Sequence, residues 1–383
     1  MAAAPLRLGF IGGAAPSMIG PVHRRAALMD GCFAIVAGAL SRDAARGREA
    51  AAEYGIDPAR SYADVARMLA AEAARPDGIQ AVAIVTPNDT HRAFALAAVE
   101  AGLDVMVDKP LANSAAEAAE IAHAAAARGV VLALAHAYAG YPMVREARAL
   151  VAAGRIGTPR MVQVEYFGAG LASPVETLPD AARRWRLDPA RSGPSLVLGD
   201  IGTHAHHLAC YVTGEPFVAI SAEAATLAPG RAVQDYAQAR FRLAGGARGA
   251  LVVSQAAAGM DNHIMIRVIG TEGHLEWRHA THNALTLAPR DGFPMTLSRG
   301  HPMLSPAATR ATRIRRTGHP EGLHEALANL YLDFAERAQA RREGRAPDPL
   351  TEGMPDAWAG LDGLRFVEAA LASNAQDGAW VAL

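Results

Sequence analysis

The sequence predicts an α/β protein of two domains. The first domain, over residues 1–135, is a doubly wound parallel sheet, because short apolar runs alternate there with segments of helical spacing. The second, over residues 136–383, is an α+β domain with a large, mostly antiparallel sheet, because β-like runs follow one another with turns between them. A length of 383 residues also suits two domains.

The composition excludes several classes of function. Hydrophobic residues make up 51% of the chain and charged residues 20%, which is typical of a soluble globular enzyme. The net charge of −1 gives no bulk attraction to nucleic acid or anionic lipid, and no apolar stretch approaches the length of a membrane span. We therefore expect no nucleic-acid partner and no membrane partner. Cys32 and Cys210 are too few for a disulfide framework, and we expect a cytoplasmic protein.

The first apolar run, residues 6–11, leads into a glycine-rich turn, and a helix is predicted to begin near Ile19. This arrangement binds dinucleotides, because glycine lets the backbone approach the pyrophosphate and the helix N-terminus favours its negative charge. Ala14 stands where G-x-G-x-x-G requires glycine, so a purely structural turn is the alternative. The cofactor contacts that we expect from this turn are Gly12, Gly13, Ser17 and Ile19.

Polar residues follow three further predicted strands, over residues 33–40, 81–85 and 102–107. Ligands of doubly wound sheets bind beyond the carboxyl ends of the strands. After the second strand, Ser41 and Arg42 precede Asp43, an order that favours NADP over NAD unless Asp43 only caps the next helix. The remaining candidates for cofactor binding at these ends are Thr86, Pro87, Asn88, His91, Asp108 and Lys109, with a plain turn as the alternative for Asn88.

A second candidate site lies around Asp200 and His204, where a helix is predicted to open near Asp200. An aspartate suits the first turn of a helix, and residues four apart share a helix face. A carboxylate beside an imidazole can transfer protons near neutral pH, whereas the simpler alternative is a capping Asp and an ordinary His. Asp200, His204 and His207 could also ligate a metal, but three ligands on one helix seldom converge, so we expect no metal.

Three motifs together resemble the Gfo/Idh/MocA family of oxidoreductases: Thr-Pro-Asn-x-x-His at 86–91, Asp-Lys-Pro at 108–110 and Gly-Asp-Ile-Gly-Thr-His at 199–204. Their order and separations match the family, and the resemblance covers nearly the whole chain. It implies an N-terminal Rossmann domain and a C-terminal domain whose open sheet face supports homo-oligomer contacts. The chain departs from the family pattern at residues 192–195, which replace a glycine cluster, at Tyr138, where many relatives have Arg, and at His207, where many have Asp.

The resemblance implies hydride transfer between NADP or NAD and a secondary alcohol of a sugar, sugar derivative or cyclitol. In that reaction His204 is the general base, Lys109 stabilises the developing alkoxide and Asp200 orients the substrate or the base. The residues expected to contact the substrate are Lys109, Tyr138, Trp185, Arg186, Asp200, His204 and His207. For Tyr138 and Trp185 a role as core aromatics is the alternative. A non-catalytic ligand sensor, or a lyase or glycosidase that uses transient oxidation, are the alternative functions.

Overall fold

A computed structural model describes residues 4–173, 176 and 185–383. Contacts divide the chain into two compact units. The first comprises Met1–Ala112, Ala116–Ala137 and Leu323–Leu361. The second comprises Asn113–Ala115, Tyr138–Gly322 and Asp362–Leu383. The division differs from the two continuous segments expected from the sequence, because the chain returns to the first unit at Leu323. Helical spacing predicts which face of a helix is buried and not which unit buries it.

The strands are numbered in chain order. They are β1 (Leu6–Gly12), β2 (Phe33–Ala39), β3 (Ala81–Val85), β4 (Asp104–Val107), β5 (Leu132–Leu134), β6 (Pro159–Phe167), β7 (Phe217–Ala225), β8 (Tyr236–Leu243), β9 (Arg248–Ser254), β10 (His263–Gly270), β11 (Gly273–Arg278), β12 (Ala284–Pro289), β13 (Met295–Ser298) and β14 (Val381–Ala382).

The α-helices follow the same numbering. They are α1 (Gly20–Met29), α2 (Ala44–Tyr54), α3 (Val65–Ala73), α4 (His91–Glu100), α5 (Ala115–Arg128), α6 (Pro142–Ala152), α7 (Pro189–Ser192), α8 (Thr203–Thr213), α9 (Pro306–Arg310), α10 (Leu323–Glu343) and α11 (Ala357–Asn374).

The first unit contains the predicted parallel sheet, in the order β2-β1-β3-β4-β5. Every recorded strand pair in it is parallel. All five residues of β3 and all four of β4 are buried, as continuous apolar runs covered on both faces should be. Parallel pairing brings the carboxyl ends of β1, β2, β3 and β4 to one edge of the sheet, so the residues after these strands meet there.

The second unit contains a nine-stranded sheet in the order β13-β12-β11-β10-β6-β9-β8-β7-β14. Strands β6 and β9 pair in parallel, and the other recorded pairs are antiparallel. The mostly antiparallel sheet is therefore confirmed. The sequence analysis did not predict β12, β13 or β14. Strands β13 and β14 lie at the two edges of the sheet and have four and two residues, too few for a clear alternating pattern.

Helix α10 contacts the parallel-sheet part of the first unit through the buried carboxylate of Asp104. Asp104, at the start of β4, lies with its Oδ1 2.9 Å from Arg341 Nε and its Oδ2 3.3 Å from Arg342 Nη2. The same carboxylate accepts a hydrogen bond from the Val131 amide at 2.9 Å. Phe334 of α10 also stacks on Phe33, with ring centroids 5.5 Å apart. These contacts account for the return of the chain to the first unit.

Among the described residues, no helix combines the length and the apolar character that a membrane span requires. Cys32 and Cys210 are free, as expected, but both are partly exposed rather than buried.

Candidate active site

The glycine turn after β1 packs so tightly that side chains do not fit in it. Gly12 and Gly13 have φ of +80° and +92°, in the left-handed region that favours glycine. A Cβ on Gly12 would lie 2.5 Å from Thr86 Cγ2, and one on Gly20 would lie 2.3 Å from the Gly13 carbonyl oxygen. The turn thus exposes backbone directly before α1. Such a cradle fits the pyrophosphate of a dinucleotide, which is bound by backbone N–H groups and a helix N-terminus.

Ser17 and Ile19 shape the entry to α1. The Ser17 hydroxyl accepts a hydrogen bond from the Gly20 amide at 3.0 Å, and Pro21 follows in the first turn. Ile19 occupies the N-cap position and makes no side-chain cap. The role of the Ser17 oxygen in this structure is therefore to organise the turn that the sequence analysis associates with the cofactor.

After β2, Asp43 has a structural task. Its carboxylate accepts hydrogen bonds from the Ala45 and Arg46 amides, each at 3.0 Å, and so caps α2. The Ser41 hydroxyl accepts from the Asp43 amide at 3.1 Å, while Arg42 is exposed. Of the two roles considered for Asp43, the capping role is the one that the structure supports.

The side chain of His91 connects the motif at 86–91 with the motif at 108–110 through a hydrogen bond. The imidazole is fully buried, with Nδ1 2.8 Å from the Pro110 carbonyl oxygen and Nε2 2.9 Å from the Thr86 carbonyl oxygen. Both ring nitrogens thus face backbone oxygens, which corrects the expectation that His91 contacts the cofactor. His91 instead holds two strand ends together. Thr86, Pro87 and Asn88 remain half-exposed at this edge.

Asp108 and Lys109 follow β4, and Lys109 is the only lysine in the sequence. Asp108 Oδ1 accepts a hydrogen bond from the Lys109 amide at 3.0 Å and lies 3.6 Å from His23 Nε2. Burial opposes ionisation of Asp108, but the His23 imidazole and the charges of Lys109 and His91 outweigh it and lower the pKa of Asp108. The Lys109 side chain is half-exposed at the edge where the strands end.

In the second unit, Asp200 does not cap a helix. Residues Leu198–Gly202 form a π-helical turn that continues directly into α8, and helical residues already begin at Leu196. The predicted helix start near Asp200 is therefore wrong. The Asp200 carboxylate instead accepts a hydrogen bond from Gln255 Nε2 at 2.6 Å. A π-helical turn is wider than an α-helical one and is frequent at functional sites.

Asp200 and His204 both lie beside a pair of buried tyrosines. The His204 ring is 5.0 Å from the Tyr138 ring and 6.2 Å from the Tyr166 ring, between centroids. Burial raises the pKa of both phenols, and the negative charge of Asp200 raises them further. The structure therefore brings together three residues that the sequence analysis named: Tyr138, Asp200 and His204.

The tyrosine hydroxyls form a chain that the sequence analysis missed. The Tyr138 hydroxyl donates to the Tyr166 hydroxyl at 2.8 Å, and the Tyr166 hydroxyl donates to Asn262 Oδ1 at 2.5 Å. Asn262 has φ of +46°, unusual for a residue other than glycine. Because these partners are 28 and 96 residues apart, no local sequence pattern predicts their contacts. Gln255 was missed for the same reason.

His207 belongs to a different environment. Its ring lies 5.8 Å from the Tyr211 ring, and burial, with the nearby charges of His206 and Arg148, lowers its pKa to about 3. The expected role of His207 in substrate binding stays a prediction. Arg186 lies over the Trp185 ring at 5.3 Å, so these two predicted substrate residues do contact each other.

No group of three or more His, Cys, Asp or Glu side chains within the described ranges is arranged to hold a metal ion. Asp200, His204 and His207 consequently do not form the three-ligand site that their spacing allows.

His206→Phe should make the protein less sensitive to acid. The His206 ring lies between those of Phe217 and Phe366, at 4.6 and 4.8 Å, and burial lowers its pKa to about 3. Because histidine in an unfolded chain has a pKa of about 6.5, the unfolded state binds the extra proton below that pH, at a cost to stability of about 1.4 kcal/mol per pH unit. Urea unfolding at pH 6 and pH 5 checks this, since wild type should lose about 1.2 kcal/mol more than the variant between these pH values. Equal losses would contradict the assignment.

Comparison with known proteins identifies the family. The N-terminal residues 6–136 match the model described as "Oxidoreductase family, NAD-binding Rossmann fold", and residues 144–276 match the "GFO/IDH/MocA C-terminal domain". An uncharacterised oxidoreductase of Bacillus subtilis (strain 168), YfiI, is 35% identical and covers 98% of this chain and 96% of its own. The chain belongs to the Gfo/Idh/MocA family of oxidoreductases. The resemblance drawn from the three motifs is confirmed.

Solved structures of other Gfo/Idh/MocA proteins share the fold over the full length. An inositol dehydrogenase homologue from Azotobacter vinelandii, complexed with NAD+, superposes with a TM-score of 0.94 at 39% identity, covering 100% of this chain and 98% of its own. The same homologue complexed with NADH and myo-inositol has a TM-score of 0.92. Levoglucosan dehydrogenase, complexed with NADH and levoglucosan, has a TM-score of 0.82 at 25% identity and covers 99% of both chains. The Rossmann sheet and the large second sheet are thus features of the family.

Proposed function

We propose that the protein transfers a hydride reversibly between a nicotinamide cofactor and a secondary alcohol of a sugar, sugar derivative or cyclitol. The observation that carries the proposal is the location of Asp200 and His204 beside the rings of Tyr138 and Tyr166 in the second unit. Hydroxyl, amide and carboxylate groups suit a substrate that is rich in hydroxyls. The myo-inositol and levoglucosan bound by relatives are substrates of this class.

Each proposed catalytic residue has one task. Oxidation of an alcohol requires its hydroxyl proton to leave as the hydride leaves, and His204 takes that proton as general base. The ammonium group of Lys109 stabilises the alkoxide that develops on the same oxygen. Asp200 orients the base or the substrate, and its hydrogen bond from Gln255, 2.6 Å long, fixes the carboxylate.

The nicotinamide ring, when bound, supplies the carbon that gives or accepts the hydride. The residues that would hold the dinucleotide are those of the glycine turn and the strand ends. Gly12 and Gly13 offer backbone for the pyrophosphate before α1, and Thr86, Pro87 and Asn88 are half-exposed at the same edge of the sheet. The enzyme's contribution is the placement of these groups.

Arg42→Ala should weaken binding of NADP and leave NAD nearly unaffected. The carboxylate of Asp43 is committed to the α2 cap, whereas the guanidinium of Arg42 is exposed after β2, where the ribose of a dinucleotide binds. A guanidinium recognises a 2′-phosphate through charged hydrogen bonds, so we propose a preference for NADP. Titration of both cofactors by fluorescence measures the two dissociation constants. Equal losses for NADP and NAD would exclude Arg42 as the residue that reads the 2′-phosphate.

A panel of sugars and cyclitols, each offered with NAD and with NADP, tests the proposed function. Formation of reduced nicotinamide, followed by absorbance, supports the dehydrogenase. A complete lack of turnover with measurable ligand binding would favour a non-catalytic sensor instead. Product formation without release of reduced cofactor would favour a lyase or glycosidase that oxidises its substrate transiently.

We also propose that the protein forms a homo-oligomer through the face of its nine-stranded sheet. Side chains on β8 alternate between buried and exposed positions, and the exposed residues of the neighbouring β7 include Val218, at 40%. A sheet face with one side open to solvent offers such an interface. Size-exclusion chromatography with light scattering measures the mass, and a monomer at all concentrations would exclude the proposal.

A further inference from the structure

A chain of buried polar groups in the first unit leads from helix α10 to the segment that carries Lys109. The Tyr331 hydroxyl lies 2.9 Å from His23 Nδ1, and both side chains are almost completely buried. On the other side of the ring, His23 Nε2 lies 3.6 Å from Asp108 Oδ1. That same oxygen accepts the Lys109 amide at 3.0 Å. This chain of contacts therefore connects helix α10, helix α1 and the segment after β4, which are far apart in sequence.

The charge of Asp108 determines which nitrogen of His23 carries a proton. Burial, together with the charge of Asp108, raises the pKa of Tyr331 well above its ordinary value, so Tyr331 keeps its proton. The pKa of Asp108 is lowered, and the ring nitrogen that faces its carboxylate, at 3.6 Å, is Nε2. A carboxylate accepts hydrogen bonds and donates none, so Nε2 carries a proton. The proton of Nε2 accordingly faces Asp108.

We propose that His23 and Tyr331 are positioning residues for the reaction. They hold the carboxylate of Asp108 in place, and through its bond to the Lys109 amide they fix the direction in which Lys109 leaves β4. The proposal rests on the function proposed above for Lys109. In many catalytic sites, a histidine forms hydrogen bonds with a carboxylate and with a third group. These hydrogen bonds fix the orientation of the groups that take part in the reaction.

The position of His23 adds a coupling to cofactor binding. His23 is the fourth residue of α1, the helix that begins directly against the glycine turn at Gly20. A dinucleotide on that turn contacts the N-terminus of the same helix that presents its imidazole to Asp108. Helix α1 thus joins the cradle of the cofactor to the residue that precedes Lys109.

Four groups face Asp108: His23 from α1, His91 from α4, Lys109 from its own segment and Tyr331 from α10. Tyr54 of α2, with Arg24 over its ring at 5.1 Å, lies behind Tyr331. Of these groups, His23 does most to lower the pKa of Asp108, with Nε2 3.6 Å from the carboxylate oxygen. Removal of His23 leaves burial less opposed, so Asp108 should take up its proton at a higher pH.

The test uses His23→Phe and Tyr331→Phe in the full-length enzyme, with His206→Phe as the matched control. Both positioning variants should lower kcat about 10- to 100-fold, as expected for a catalytic group displaced by about 1 Å, with little change in KM or in cofactor affinity. His23→Phe should also move the acid limb of the kcat–pH profile to higher pH. The control removes a buried imidazole from the second unit and should change neither kcat nor the profile. Thermal melts establish that each variant is folded.

A second measurement needs no turnover. Nitrogen-15 spectra of histidine-labelled protein without cofactor should show a proton on Nε2 of His23, identified by the signal that His23→Phe removes. Tyr331→Phe, which deletes only a hydroxyl, should alter the His23 signals and lower kcat. A His23 ring without a proton on Nε2, or a wild-type kcat and pH profile in both positioning variants, would overturn the proposal, as would an equal loss in the control.

The two proposals fail separately. If Lys109→Ala retains turnover, the function proposed for Lys109 is wrong and this inference falls with it. If Lys109→Ala is inactive while His23→Phe and Tyr331→Phe behave as wild type, only the positioning role is overturned.

Discussion

Lys109→Ala should lower turnover by at least 10²-fold while cofactor binding survives. The ammonium group follows β4 at the edge of the sheet, and we propose that it stabilises negative charge that develops only in the transition state. Removal of one such donor typically costs 10²–10³ in kcat. We propose that the backbone of the glycine turn holds the dinucleotide, and Lys109→Ala leaves that backbone in place. Steady-state kinetics and fluorescence titration with the cofactor measure the two effects.

Lys109→Arg is the informative companion. It keeps the positive charge but replaces a compact ammonium with a planar, larger group, so a site that needs the ammonium geometry should remain strongly impaired. The sequence itself supports this need. Of 37 basic residues counted as Lys or Arg, Lys109 is the only lysine. Turnover near the wild-type value in Lys109→Ala would remove Lys109 from the catalytic set.

His204→Asn should retain cofactor binding and much of the substrate affinity but lose turnover by roughly 10²–10⁴-fold, the usual contribution of general acid–base catalysis. The rate of alcohol oxidation in wild type should also fall at acid pH, because a protonated imidazole cannot accept the alcohol proton. The inflection belongs to the interacting titratable groups of the active site together and not to one residue. The pH dependence of kcat and kcat/KM records both limbs.

His206→Phe is the control for this test as well. His206 stands two residues further along α8, where its ring packs on Phe217 and Phe366 rather than on Tyr138 and Tyr166. Its loss should change acid stability and leave turnover intact. If turnover instead depended on His206 and not on His204, the assignment of the general base would be wrong.

The sequence could predict features that depend on neighbouring residues, but not contacts between residues far apart along the chain. The parallel strands β1–β4 were predictable, because each is a mainly apolar run that ends in a glycine turn or in polar residues. Side-chain partners were not. Gln255 meets Asp200, and Asn262 meets Tyr166, across long separations that leave no periodic signal. The π-helical turn at Leu198–Gly202 was equally hidden, because α and π turns draw on the same residues.

The histidines show the same limit. In the sequence, His91 and His204 both belong to candidate motifs, and nothing there distinguishes them. In the structure, both ring nitrogens of His91 lie within hydrogen-bond distance of backbone oxygens, whereas the ring of His204 lies beside two tyrosine rings. Spacing along the chain locates an imidazole at a strand end or on a helix. Its protonation and its partners depend on what packs around it.

A single lysine also gives the protein a natural reporter. Reductive methylation with carbon-13 formaldehyde modifies amines and leaves guanidinium groups unchanged, so among the side chains only Lys109 would carry the label. One dimethylammonium resonance, apart from that of the chain's α-amine, would then follow the titration of this group directly. Its response to cofactor and to polyol would show which ligand the ammonium senses, with no substitution in the chain.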